Sequence, residues 1–128
     1  MRFRHPSGYE FEIADGWLTE AGFAASATVS RHYRAPSNVA FEAVPLADIE
    51  PIRRQVELDG NGFCRRRLVQ ILKGLAADAE LPPIQVHPLP CGPFKYGLRD
   101  GFHRFYASLA AGYLSIPAII LPYFVFET

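Results

Sequence analysis

The chain has 128 residues, which is the usual length of one compact domain and too short for two cores of ordinary size. Hydrophobic residues make up 49% of it and charged residues 20%, which excludes an intrinsically disordered chain and a coiled coil. Thirteen basic residues balance thirteen acidic ones, and the formal net charge is +0. Without a basic excess, backbone-driven binding to nucleic acid or to an anionic membrane is disfavoured.

The basic residues are uneven in kind, because eleven of the thirteen are arginine. The planar guanidinium fork matches the geometry of carboxylate and phosphate groups better than a lysine ammonium does. The composition therefore disfavours general binding to polyanions but is compatible with specific recognition of an anionic ligand.

The chain carries no pattern typical of a secreted, membrane-bound or metal-binding protein. Cys64 and Cys91 are too few for a disulfide framework, and the N-terminus lacks the apolar stretch of a secretory signal. The longest apolar run, Ile116–Phe126, is interrupted by two prolines and is far shorter than the roughly 20 residues of a spanning helix. The four histidines show no paired ligand spacing. We expect a cytoplasmic protein without a membrane segment or a structural metal.

The first 38 residues are predicted to form an extension to the core. A Pro-Ser-Gly turn inside Phe3–Ile13, with strand-like alternation after it, predicts a β-hairpin. Asp15 is predicted to cap a short helix from Gly16 to Gly22. The segment Ala24–Asn38 shows neither helical nor strand period, which indicates a connecting loop.

Residues 39–128 are predicted to form the core of a single domain that spans 1–128. The patterns predict a strand near Val39–Leu46, a long helix within Phe63–Ala79, a hairpin of 84–87 and 94–98, a helix over Phe102–Ala111 stopped by Gly112, and a buried last strand, Ile116–Phe126. The expected fold class is α+β, with a small mixed sheet, helices, and a direct strand-to-helix junction.

That junction, Asp100–Gly112, carries the most informative chemistry. Its helix is apolar or small after Arg104, yet His103 and Arg104 occupy the first turn, where the helix dipole is already positive. The placement costs about 0.3–1 kcal/mol by itself and becomes favourable when an anion sits at the helix start. Gly101, which has no Cβ, would let a ligand oxygen approach the backbone closely.

An alternative interpretation needs no ligand. Asp100 could cap the helix with its carboxylate and pair with Arg104 or His103, which would fill the space in front of the helix. The short Gly-x-His-Arg pattern by itself does not decide between a cap and an anion site.

A wider resemblance supports the anion site. The order of patterns over Val44–Leu121 resembles that of the ParB N-terminal/sulfiredoxin superfamily. It consists of a Val-Pro-Leu-Ala-Asp-Ile-Glu-Pro segment, a helix, a hairpin, Asp-Gly-Phe-His-Arg and a final strand. The resemblance implies a sulfiredoxin-like fold in which the start of the helix holds nucleotide phosphates. The residues it assigns to that site are Gly101, His103, Arg104 and, from the preceding segment, Arg53 or its neighbour Arg54. Asp100 lies in the same motif and would repel a phosphate unless Mg²⁺ bridges the two or its carboxylate is turned away as a cap. The expected ligand is a nucleotide, ATP or CTP with Mg²⁺, or another phosphorylated molecule, and the chemistry expected of any turnover is phosphoanhydride cleavage or phosphoryl transfer.

Phe102 departs from both branches of that superfamily. Sulfiredoxins resemble this motif except for a catalytic cysteine at the position of Phe102, and ParB proteins have a glutamate there. Sulfinic acid reduction is therefore not expected, nor is CTP hydrolysis by the ParB scheme. His103 is the one candidate for a catalytic base, and its place at a helix start suits donation to phosphate equally well.

Three further features keep other functions open. One member of Arg65-Arg66-Arg67 could face the phosphate site, although consecutive helical residues point about 100° apart. The apolar C-terminus, Tyr123–Phe126, could support a homodimer if the fold serves as a non-catalytic interaction module. A ParB-like nucleic-acid-binding protein is disfavoured by the neutral charge.

Overall fold

The computed structural model describes residues 1–25, 31–52 and 62–122. Its strands are β1 (Arg2–Arg4), β2 (Glu10–Glu12), β3 (Glu42–Pro45), β4 (Ile84–Pro88), β5 (Tyr96–Asp100) and β6 (Ser115–Ile120). Its helices are α1 (Asp15–Ala21), α2 (Arg65–Ala76) and α3 (Phe102–Ala111), and a short 3-10 turn spans Leu46–Asp48. The predicted α+β class is confirmed.

The larger sheet has four strands in the order β3-β6-β4-β5. β6 runs antiparallel to β3 and parallel to β4, while β4 and β5 form the predicted antiparallel hairpin. The sheet is therefore mixed, as expected. Because α3 follows β5 without a loop and leads back to β6, the start of α3 lies where the hairpin strand ends.

α3 is buried on most sides, and its bounds are those expected from the sequence. Eight of its ten residues are buried, and the other two, Arg104 and Leu109, are half-buried. Gly112 ends the helix in a left-handed conformation, with its N–H donating to the carbonyls of Leu109 and Ser108. A helix of this composition forms because the surrounding core covers it.

The N-terminal hairpin docks onto this core. β1 pairs antiparallel with β2, which sets Arg2 opposite Glu12 and Arg4 opposite Glu10. His5 is fully buried: its Nδ1 accepts a 3.0 Å hydrogen bond from the Ser7 N–H, and its Nε2 lies 2.8 Å from the Leu46 carbonyl oxygen. With Nδ1 as acceptor, Nε2 carries the proton and donates to that carbonyl. One buried imidazole thus ties the hairpin to the start of the 3-10 turn.

One predicted detail of the helices is wrong. Asp15 is not a cap: the N-cap residue is Ala14, and the Asp15 carboxylate pairs at 2.7 Å with the amino group of Met1. α2 begins at Arg65 and ends at Ala76, inside the expected range, because Asp78 turns the chain with a positive φ of 54°. The predicted last strand ends at Ile120, and the apolar segment 123–126 lies outside the described residues.

No helix within the described ranges has the length and hydropathy needed to cross a membrane.

Two buried tyrosines predict a steep loss of stability at alkaline pH. The hydroxyls of Tyr33 and Tyr106 donate 2.6 Å hydrogen bonds to the carbonyls of Pro82 and Ile52. Burial raises the pKa of both phenols well above its usual value near 10, and Tyr9 raises that of Tyr106 further, whereas Arg104 lowers that of Tyr33 in part. The folded state therefore keeps two protons that the unfolded state releases above about pH 10.

Below about pH 10 these tyrosines should give the free energy of unfolding no pH dependence. Above about pH 10 that free energy should fall as the pH rises. Each tyrosine adds a slope of up to about 1.4 kcal/mol per pH unit. Urea unfolding between pH 8 and pH 11.5 measures that slope, and Tyr106→Phe should reduce it by about half. An equal slope in the Phe variant would contradict the assignment.

Candidate functional site

A cavity of about 420 Å³ opens where β5 passes into α3, between that junction and α2. Its polar wall contains three arginines, one carboxylate, one amide and one imidazole, and its apolar wall contains aliphatic side chains and one phenylalanine. The lining residues are Ile52, Arg67, Gln70, Ile71, Leu81, Leu98, Arg99, Asp100, Gly101, Phe102, His103 and Arg104. None of the described residues therefore fills the space in front of the motif.

Gly101 is the N-cap residue of α3 and adopts a left-handed conformation, φ 108° and ψ 32°. A Cβ on this residue would lie 2.4 Å from Cγ2 and 2.8 Å from Cβ of Ile84 in the neighbouring strand, and 3.3 Å from Nη2 of Arg104. Its backbone conformation and its close packing therefore both call for glycine. The carbonyl of Gly101 accepts the first helical hydrogen bond, from the N–H of Phe105 at 2.9 Å.

Arg104 lies in the first turn of α3 and is held in place by the protein itself. Nη1 donates to the carbonyls of Pro82 and Pro83 at 2.7 and 3.0 Å, and Nη2 lies 3.3 Å from Oδ2 of Asp100. Only 15% of the side chain is exposed. The guanidinium is thus oriented in advance at the cavity wall and needs little ordering when an anion arrives.

Asp100 does not cap α3. The structure gives no side-chain cap hydrogen bond at the N-cap position, so the predicted alternative of an aspartate cap is wrong. The pairing with Arg104 that accompanied this alternative is present, at 3.3 Å, with the Asp100 side chain 66% exposed. The carboxylate therefore lines the cavity and leaves it open.

His103 is 5% exposed and lies between α3 and the start of α2. Its Nε2 accepts a 2.9 Å hydrogen bond from the backbone N–H of Cys64, the N-cap residue of α2. Its ring also packs against Phe63 and Phe102, with centroids 6.1 and 5.3 Å away. The imidazole thus borders the cavity while its Nε2 lone pair is already used by the protein.

The Arg65-Arg66-Arg67 triplet fans round the start of α2, as the helical geometry predicts. Arg65 forms an exposed ion pair with Glu20 at 2.8 Å, and Arg66 is exposed outside the cavity. Arg67 lines the cavity, and none of the described carboxylates forms an ion pair with it. One member of the triplet therefore does face the motif, as the sequence analysis allowed.

The lining residues that the structure describes include several charged side chains. Arg67, Arg99 and Arg104 are cationic and Asp100 is anionic, on a chain whose formal net charge is +0. Arg53 and Arg54, the predicted closing arginines, lie outside the described residues. Arg67 and Arg99 supply cationic groups to the cavity from α2 and from β5.

Several lining residues carried no signal of their own in the sequence. Gln70 and Ile71 share a face of α2 with Arg67 at i, i+3 and i+4 spacing, but nothing in that spacing reveals what the face contacts. The carbonyls of Pro82 and Pro83 likewise carried no signal, because their role as acceptors for Arg104 depends on tertiary structure. Within the described ranges, no cluster of three or more His, Cys, Asp or Glu side chains could hold a metal ion.

Comparison with known proteins finds no matching family model. The chain is similar to an ATP-dependent L-serine kinase from Desulfurococcus mucosus, with 33% identity over 85 residues that cover 64% of this chain. An ATP-dependent L-serine kinase from Staphylothermus marinus is 33% identical over 84 residues, 63% of this chain. The matched segment spans about a third of the length of both relatives, 33% in each case.

Among solved structures, the chain is similar to sulfiredoxin from Arabidopsis thaliana, with a TM-score of 0.48 and 16% sequence identity. The superposition covers 66% of this chain and 86% of the sulfiredoxin chain.

Proposed function

We propose that this chain binds ATP through its phosphates in the cavity at the start of α3, and that it transfers the terminal phosphoryl group to a small molecule with a hydroxyl group. The observation that carries the proposal is the convergence of Arg67 and Arg104, from two helix starts, on one cavity. The relatives named as ATP-dependent L-serine kinases support ATP as the nucleotide and L-serine as the first acceptor to test.

The roles follow from the geometry. Arg104, held by two carbonyls, presents a fixed guanidinium, and Arg67 adds a second cation from the opposite wall. Gly101, Phe102 and His103 line the cavity at the first turn of α3, where the helix dipole is positive and backbone N–H groups lack helical acceptors. These groups neutralise charge on the phosphates, which is most of what phosphoryl transfer requires of a protein.

In the transfer, the acceptor hydroxyl oxygen bonds to the γ-phosphorus while the bond from that phosphorus to the bridging oxygen breaks. ADP leaves with the electron pair of that bond, and the hydroxyl proton passes to solvent or to a cavity base. The aliphatic wall of the cavity excludes water from one side of the phosphates, which favours an added alcohol over hydrolysis.

Mg²⁺ would accompany ATP, with Asp100 as its protein ligand. Mg²⁺ is commonly held by one or two carboxylates together with substrate phosphates, so a single carboxylate on the cavity wall fits this chemistry. Asp100 is that carboxylate among the described lining residues. The ion would neutralise the β- and γ-phosphate oxygens, and it would also offset the repulsion between Asp100 and the nucleotide.

ATP with Mg²⁺ should stabilise the protein, and Arg67→Gln should weaken that effect. At a hundredfold excess over Kd the stabilisation is about 2.7 kcal/mol. Removing one charge-assisted contact should lower the affinity for ATP roughly tenfold, which is about 1.4 kcal/mol. Thermal unfolding with ATP, CTP, ADP and inorganic phosphate, each with and without Mg²⁺, measures both effects.

Arg66→Gln is the matched control, since Arg66 is the exposed neighbour of Arg67 on α2 and does not line the cavity. It should leave the ATP effect unchanged. Phosphoserine formation from ATP and L-serine tests turnover directly. If no nucleotide and no phosphate stabilised the wild type, the proposal would fail and a non-catalytic interaction module would be favoured.

A further inference from the structure

His103 lies between the two helix starts that present arginines to the cavity. Its Nε2 accepts a 2.9 Å hydrogen bond from the Cys64 N–H, although a direct phosphate contact is what the sequence motif suggests for this residue. An imidazole nitrogen that accepts a backbone N–H carries no proton and cannot at the same time donate to a phosphate oxygen. The question is what this bond does for the site.

Cys64 is the N-cap residue of α2, with an extended backbone and no side-chain cap hydrogen bond in the structure. The first turn of α2 is closed by the 2.9 Å bond from the Leu68 N–H to the Cys64 carbonyl. The N–H of the same residue is bonded to His103, so Cys64 links the first turn of α2 directly to the first turn of α3. Phe63 packs over this link, with its ring centroid 5.6 Å from that of Phe102.

The two arginines occupy equivalent places in these first turns. Arg67 is the third residue of α2 and Arg104 the third residue of α3, and both line the cavity. The bond between Cys64 and His103 therefore constrains the separation of the two guanidinium groups. Displacing a charged contact by about an ångström is enough to lose much of its effect on a bound ligand.

We infer that His103 is a positioning residue: through the Cys64 N–H it fixes the start of α2 against the start of α3, so that Arg67 and Arg104 bind the same phosphate chain. This role acts through Cys64 and requires no contact between the imidazole and the ligand. This inference deepens the proposed function and rests on it for the identity of the ligand. It assigns a different task to the histidine than phosphate contact or general base catalysis.

Three variants separate the two roles. His103→Leu removes the acceptor at similar volume, and His103→Gln keeps an oxygen acceptor near the position of Nε2. Cys64→Pro removes the donor and leaves the imidazole, and its fixed φ suits the observed φ of −81° at Cys64. Hydrogen exchange at Cys64 reports the bond in wild type, in His103→Gln and in His103→Leu. Affinity for ATP and for tripolyphosphate, measured by titration, reports the site.

Positioning predicts that His103→Leu and Cys64→Pro each lower the affinity for tripolyphosphate about as much as Arg67→Gln does, roughly tenfold. Adding either variant to Arg67→Gln should cause little further loss, because all three remove the same contact. His103→Gln should restore both the protection of the Cys64 amide and the affinity. If His103→Leu does not fold, Cys64→Pro still tests the inference, because it removes the same hydrogen bond from the donor side.

Direct phosphate contact by His103 predicts the opposite. Cys64→Pro would then leave the affinity unchanged, and the losses from His103→Leu and Arg67→Gln would multiply; either result overturns the inference. Failure of the proposed function looks different, because wild type itself would then bind neither ATP nor tripolyphosphate. In that case hydrogen exchange still tests the link between the helices. Fast exchange of the Cys64 amide in wild type would overturn the link, whereas protection from exchange that is lost only in His103→Leu would support it.

Discussion

Gly101→Ala should destabilise the fold by about 2–5 kcal/mol, although it only replaces one hydrogen with a methyl group. Two costs combine. The left-handed conformation at φ 108° costs a residue with a Cβ about 1–2 kcal/mol. The new Cβ would also lie 2.4 Å from Cγ2 of Ile84, in a fully buried part of β4 that cannot easily move. Overpacking of this kind costs about 1–3 kcal/mol.

Gly92→Ala is the matched control for this variant. Gly92 has nearly the same φ, 102°, but a Cβ there would have no atom within 4 Å. It should show the backbone cost alone, about 1–2 kcal/mol. Urea unfolding of both variants gives the difference, which measures the contact between the start of α3 and β4. Equal losses in the two variants would contradict the close approach at Gly101.

Arg104→Ala should cost about 2–4 kcal/mol of stability and should abolish the stabilisation by ATP. The variant leaves the Pro83 carbonyl without its guanidinium donor at 3.0 Å, while the Pro82 carbonyl loses its 2.7 Å bond but keeps the one from the Tyr33 hydroxyl. An unsatisfied buried carbonyl costs about 1–3 kcal/mol, and the hydrogen bond lost at Pro82 adds about 1 kcal/mol. Asp100 would also lose its ion-pair partner, which makes the cavity less favourable for phosphates.

Arg34→Ala is the control for the loss of an arginine. Arg34 donates to one carbonyl, that of Asp78 at 3.1 Å, and pairs with its carboxylate at 3.5 Å, but the side chain is 58% exposed. Exposed pairs of this kind contribute at most about 1 kcal/mol. Arg34→Ala should therefore unfold at nearly the wild-type urea concentration and should keep the full ATP effect. Arg104→Lys should behave like Arg104→Ala toward ATP, since one ammonium cannot hold two carbonyls and a phosphate in a fork.

Comparing Arg104→Ala with wild type also separates the contribution of Arg104 to stability from its contribution to ATP binding. A stability loss without any ATP effect in wild type would leave Arg104 as a residue that holds the Pro82-Pro83 segment against α3. An ATP effect that survives Arg104→Ala would place the phosphates elsewhere in the cavity. Measuring unfolding with and without ATP in one series gives both answers from the same samples.

The local elements of this protein were largely predictable because the sequence carries them in strong, short-range signals. α3 has the bounds expected from an apolar run between two glycines, Gly101 and Gly112, since glycine tolerates the left-handed conformation that each end requires. The hairpins were predictable from alternation and from turn residues. The cap predicted at Asp15 failed because the charged N-terminus, 14 residues away in sequence, lies within 2.7 Å and binds that carboxylate.

The residues at the start of α3 were predictable from the sequence, and the contacts that hold them were not. The amino-acid order alone left a helix cap and an anion site both open, since Asp100 could pair with His103 or Arg104, and these two are poorly placed there without an anion. The contact of Arg104 with two proline carbonyls, and the choice of the triplet arginine that lines the cavity, depend on residues 21 or more positions apart that the sequence pattern does not relate. The hydrogen bond of His103 likewise depends on the position of Cys64, 39 residues away. Local sequence determines which groups are present and which element carries them, whereas packing of α2, α3 and the sheet decides which hydrogen bonds those groups make and which of them still face the cavity.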